Sequence, residues 1–141
     1  MKVLFPVDGS DSALTALVKF ARMVPRFIET PELVLINVQL PLPYPRAIVS
    51  LGKQVIAEYY EVESEQELAE ARERLEQSEL TFMVEKRVGD PAQEIVNFAE
   101  KEQCEMIAMG THGRTALRNL VMGSVATKVL AASKVPVLFI K

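Results

Sequence analysis

The residues in this chain whose types and spacing can do chemistry lie in one stretch, Met109 to Leu130, reading MGTHGRTALRNLVMGSVATKVL. Its glycines follow the pattern Gly110-x2-Gly113-x9-Gly123, and Ser124 comes at once after the last. Glycine lets backbone approach a phosphate without a Cβ in the way and reaches positive φ without strain. Successive free N–H groups in such a loop form an anion nest. Gly123, Ser124 and Val125 would open a helix, whose unpaired N–H groups and dipole favour negative charge. The Ser124 hydroxyl can donate to a phosphate or ligate a phosphate-bound Mg²⁺. Arg114 and Arg118 add positive charge, and no acid stands near them in sequence. The chemistry indicated is phosphate binding; the plainer alternative is three glycines that make turns and a helix start.

Other candidates carry less. His112 is the one histidine, and a general base needs an orienting partner that the neighbouring sequence does not offer, so it reads as a loop residue beside a ligand. Cys104, the one cysteine, precedes an apolar strand and reads as a small, partly buried hydrophobe. It can form neither an internal disulfide nor a thiolate cluster. Asp8-Gly9-Ser10-Asp11-Ser12 echoes a pyrophosphate loop but lacks its first serine and second glycine. A phospho-receiver would need an aspartate at the tip of the third strand, which instead ends in Lys86, Arg87 and Val88. No Gly-Lys-Ser/Thr marks a Walker A loop. No catalytic residue and no metal site are assigned.

The elements that must position the glycine loop follow from hydrophobic pattern and punctuation. Five strands are expected at Lys2–Val7, Leu33–Val38, Thr81–Val88, Glu105–Met109 and Pro136–Ile140. VLFPV, LVLINV and PVLFI are nearly continuous apolar runs, as in parallel strands buried on both faces. The first helix begins at Ser10 and carries Leu14, Leu17, Val18, Ala21 and Val24 on one stripe. A long charged helix runs from about Ile48 to Glu79, with room for one break, because its apolar marks (Ile48, Leu51, Val55, Val62, then Leu68, Ala71, Leu75) shift register. The third helix has Asp90 as N-cap, Pro91 as first residue and Gln93 closing a capping box, with Ile95, Phe98 and Ala99 inward. The last helix opens at Gly123–Ser124 and buries Val125, Val129 and Leu130. Alternating strands and helices give an open, five-stranded parallel α/β sheet with helices on both faces. The flavodoxin-like order 3-2-1-4-5 places the topological switch point between strands one and four, at the loops after Val7 and Met109.

Composition agrees. The 141 residues suit one domain over 1–141, with 49% hydrophobic and 25% charged residues, as in a globular protein. The apolar runs are too short for a membrane span or a secretory segment, which points to the cytoplasm. Residues 1–105 hold all 19 acids and 11 of the 16 bases, whereas 106–141 hold five bases and no acid. Nine glutamates between Glu58 and Glu79 face only Arg72 and Arg74 and read as a solvated face. A pI near 5.3 argues against general nucleic-acid binding, while the basic last quarter suits a small anion.

With VLFPVDGS at strand one, the capped Gly89–Pro91 start, the Gly110/Gly113/Gly123–Ser124 pattern and the closing PVLFI, the chain resembles the universal stress proteins over essentially its whole length. The glycine spacing resembles the ATP-binding branch of that family, with its adenine nucleotide alpha-hydrolase-like fold. The resemblance implies that Pro6, Val7 and Asp8 lie against adenosine and that the backbone of Val38 contacts adenine. It implies that Met109, Gly110, Thr111, His112, Gly113 and Arg114 wrap ribose and phosphates, and that Gly123, Ser124 and Val125 hold phosphates. The ligand implied is ATP, or ADP or AMP, with Mg²⁺ carried on the nucleotide. The proline-rich QLPLPYPRA after Val38 is expected to form a stiff lid. As an apolar edge strand, PVLFI invites pairing, so a homodimer through Pro136–Ile140 is expected, and the resemblance implies the same. The expected function is a nucleotide-dependent stress-response dimer with little or no hydrolysis. The alternatives are a slow Mg-dependent ATP hydrolase and a nucleotide-free protein-interaction module.

Overall fold

The computed structural model describes residues 1–43, 50, 52–78, 80–114 and 122–141. The elements are β1 (Lys2–Pro6), α1 (Asp11–Met23), a 3₁₀ turn (Val24–Arg26), β2 (Glu32–Gln39), α2 (Lys53–Glu76), β3 (Phe82–Val88), α3 (Pro91–Lys101), β4 (Met106–Gly110), α4 (Ser124–Ala132) and β5 (Val137–Ile140). All five strands run parallel in the order β3-β2-β1-β4-β5. The expected sheet is therefore the one observed, with strand ends moved by at most one residue. Val7 falls just past β1, although its N–H still donates to the Ile36 carbonyl at 2.9 Å.

Two cores flank the sheet, because successive strand residues point to opposite faces. Val3 and Phe5 pack with Leu17 and Phe20 of α1 and Leu68, Ala71 and Leu75 of α2. Leu4, Val34 and Ile36 pack with Ile95 and Phe98 of α3 and Val129 of α4. Each core is built from side chains of which most are almost wholly removed from water, and this burial is the dominant favourable term of the fold.

Several helical expectations need correction. α2 is unbroken from Lys53 to Glu76, and its register shift has another cause. Only its second half packs, through Ser64, Leu68, Ala71 and Leu75, while Val55 and Val62 are exposed. Ile48, Leu51, Glu79 and residues 44–47 of the expected lid lie outside the described residues, as does Arg118. In α1 the buried face is Ala13, Leu14, Ala16, Leu17 and Phe20, with Val18 and Ala21 half-buried at its flank. In α4, Ala126 and Val129 are buried, Val125 is half-buried and Leu130 is exposed. This nine-residue helix touches the core along a stripe one residue off the expected one. Cys104 is fully buried rather than partly, and burial pushes its thiol above the usual range.

The Asp90 cap forms as expected, its carboxylate accepting from the Gln93 N–H at 3.1 Å. The reciprocal half of the capping box does not, because the Gln93 amide turns to Asn97 at 2.8 Å. The Gln93 N–H, with desolvation opposing and Lys128 assisting, holds the Asp90 carboxyl below its ordinary value. A carboxyl lowered by folding stabilises above its unfolded-state value and stops doing so as pH falls through its folded one. Asp90→Ala is therefore expected to lose about 1 kcal/mol at pH 7. In urea unfolding that difference should shrink on acidification. An unchanged midpoint at pH 7 would show the cap to be idle.

Candidate functional site

At the C-terminal edge of the sheet, the turn after β1 meets the loop after β4. Gly9 turns the chain at φ 73°, and Ser10 caps α1 by accepting from the Ala13 N–H. Asp8 is the joint between the two loops. Its Oδ1 accepts from the Ser10 N–H at 3.1 Å and the Ser10 hydroxyl at 2.6 Å. Its Oδ2 accepts from the Arg114 N–H at 3.2 Å, and its carbonyl accepts from Arg114 Nε at 2.8 Å. A Cβ on Gly113 would stand 2.6 Å from Asp8 Oδ2, so a side chain here requires the Asp8 carboxylate to move.

The far end of the glycine loop returns to the same place. The Gly123 N–H donates to the Thr111 carbonyl at 2.7 Å, and a Cβ on Gly123 would lie 3.6 Å from the Gly113 nitrogen. Gly123 is the N-cap of α4 and supplies no side chain to the helix's first N–H groups, which have no acceptor within the helix. Ser124 opens α4 and is exposed. Thr111 is buried, and its hydroxyl lies 2.9 Å from His112 Nδ1. Thr111 and His112 also line an open cleft of about 510 Å³ with Asp11, Ser12, Thr15, Ile140 and Lys141.

The expected site residues thus divide. Asp8, Gly113 and Arg114 touch one another, and Thr111, His112 and Gly123 form the adjoining group. Gly110 closes β4 opposite Ile140, and Pro6 closes β1 opposite Ile36. Val38, Met109 and Val125 belong to the core under α3 and α4, on the face away from α2. Val7 lies in the core under α1 and α2.

Three site residues escaped the sequence reading. Glu67 of α2 is an ion-pair partner of Arg114, and its side chain is only 13% exposed. Its Oε2 accepts from Asn37 Nδ2 at 2.7 Å, and the same amide reaches the Val7 carbonyl at 2.9 Å. Gln39 Nε2 donates to Asn37 Oδ1 at 3.1 Å. So Arg114 does have an acid, distant in sequence and adjacent in space, and the glutamates of α2 are not all solvated. Asn37 and Gln39 left a signal, since two polar residues two apart share one face of an otherwise apolar strand. Glu67 left a weaker one: it sits three residues after Ser64 and four before Ala71, inside the buried stripe.

The family model of the universal stress protein family matches residues 1–141. Universal stress protein MJ0531 of Methanocaldococcus jannaschii is 32% identical over 140 residues, covering 99% of this chain and 81% of its own. The solved structure of MJ0577, a universal stress protein of the same organism, superposes with a TM-score of 0.79 at 30% identity, covering 99% of this chain and 94% of that one. A universal stress protein from Archaeoglobus fulgidus, solved in complex with dAMP, has the same fold (TM-score 0.68, 20% identity, 100% and 98% covered). The sheet order, the glycine loop and these likenesses have one common account: the chain belongs to the universal stress protein family.

Proposed function

We propose that this protein binds an adenine nucleotide at the switch point, with ATP as the first ligand and ADP or AMP as alternatives. The observation that carries the reading is the hydrogen bond from the Gly123 N–H to the Thr111 carbonyl. It sets a helix start that has no side-chain cap directly against the described part of the glycine loop, and such a start favours an anion. Gly110 to Arg114 and Gly123 to Val125 would hold the phosphates, and Pro6, Val7, Asp8, Val38 and Met109 the nucleoside. Mg²⁺ would travel on the phosphates, within reach of the Ser124 hydroxyl. The dAMP complex of the Archaeoglobus relative supports an adenine ligand for this fold.

In this reading the protein is a cytoplasmic stress-response dimer paired through β5, the apolar edge strand, and nucleotide binding stabilises the folded form by mass action. Hydrolysis is slow at most in this reading, in which the glycine loop binds the nucleotide and His112, with its Nδ1 2.9 Å from the Thr111 hydroxyl, stands beside the ligand. Among the described residues no helix is long and apolar enough to cross a membrane.

The test is to denature the purified protein and chromatograph what it releases, before and after incubation with Mg-ATP. Intact ATP near one per chain is the expected result. Conversion to ADP or AMP would favour the hydrolase, and no nucleotide in either sample would favour the interaction module.

A further inference from the structure

We infer that Glu67 is a specificity-determining residue of this site: by holding the Arg114 guanidinium, it sets how strongly the loop prefers ligands that carry phosphate. The inference rests on the nucleotide reading above. Arg114 is the cation that the described part of the glycine loop offers to an anion. In this structure its Nε is given to the Asp8 carbonyl and its Nη2 to Glu67 Oε1. Glu67 is no chance surface partner. Asn37, completely buried, aims it from β2, and the α2 backbone at Glu67 lies 3.2 Å from where a Cβ on Gly9 would be. A carboxylate so fixed keeps its place, while Arg114, 54% exposed, can turn.

A phosphate on the loop therefore competes with Glu67 for one guanidinium. The competition is felt only by ligands with phosphate charge and grows with that charge. Adenosine leaves the pair intact. ATP must draw Arg114 away or share it with an opposing carboxylate. Glu67 thus lowers triphosphate affinity by holding the Arg114 guanidinium against α2.

Glu67→Gln tests this, since the amide oxygen can still accept from Asn37 while the charge is gone. Titration of the full chain with adenosine, AMP and ATP should show no change for adenosine and a gain for ATP of about fivefold, the scale of a partly exposed ion pair. AMP should fall between. In an Arg114→Ala background the gain should vanish, because the residue acts through Arg114. Arg114→Ala alone also removes the bond to the Asp8 carbonyl, so it should weaken both ligands, and ATP more than adenosine.

An equal change for adenosine and ATP, no change for either, or a gain that survives without Arg114 would overturn the inference while nucleotide binding stands. Failure of the folded parent to bind any adenine ligand would overturn the nucleotide reading and this inference with it.

Discussion

Asn37→Leu is expected to lower the stability of the fold by about 2–4 kcal/mol, although the replacement has a similar size and the site is fully buried. Asn37 satisfies three groups at once: the Val7 carbonyl, Glu67 Oε2 and the Gln39 amide. Leucine leaves each without this partner. A buried polar group left unpaired costs roughly 1–3 kcal/mol, and a largely buried carboxylate costs more. Some return comes from the added apolar contact, at about 25 cal/mol per Å² of surface withdrawn from water. The polar loss is larger, because among the described residues Glu67 retains Arg114 alone, itself half in solvent. Urea unfolding with an unchanged slope would read the loss directly. A shift below about 0.5 kcal/mol, the scale of an inconsequential surface change, would mean that the network is incidental.

The contrast between Asn37 and Glu67 shows what the sequence disclosed. The sheet was legible because VLFPV, LVLINV and PVLFI are apolar on both faces, which few arrangements other than a covered parallel sheet accommodate. The glycine loop was legible because its spacing is local. The Asp90 cap was legible for the same reason, although the turn of Gln93 toward Asn97 was not, since the Asp90 N–H and the Asn97 side-chain oxygen compete for one carboxamide. Glu67 was hidden among nine glutamates. What distinguishes it is the seating of α2 against the Gly9 turn, a contact between segments some sixty residues apart. Leu130 misled for a related reason. Hydrophobicity proposes a buried position, but the angle at which a short helix meets the sheet disposes, and here Ala126 took the inward place. Roles that need long-range placement therefore stayed out of reach, and Arg114 looked unneutralised until α2 was in position.

Gly113→Val is expected to weaken ATP binding by about 100-fold or more, equivalent to about 2.7 kcal/mol, with a smaller loss of folding stability. The three loop glycines are alike in sequence and unlike in space. A Cβ at Gly110 or Gly123 meets its nearest atoms at 3.4 Å, within ordinary contact. At Gly113 it would stand 2.6 Å from Asp8 Oδ2, and that oxygen cannot swing aside without consequence. The same carboxylate holds the Ser10 N–H, the Ser10 hydroxyl and the Arg114 N–H. Displacing it releases the staple between the turn after β1 and the loop after β4. The N–H groups that should converge on a phosphate are then no longer fixed, and pre-organisation is what makes such a loop bind. Neither large core need be disturbed, because the clash lies at the sheet's edge, so the variant should remain folded by circular dichroism. Gly123→Ala is the comparison: its Cβ fits, and its loss of affinity should be about tenfold at most, or about 1.4 kcal/mol. Titration of both variants with ATP decides the matter. Equal losses would mean that the glycines serve the ligand alone, and retained binding in Gly113→Val would mean that Asp8 does not organise the loop.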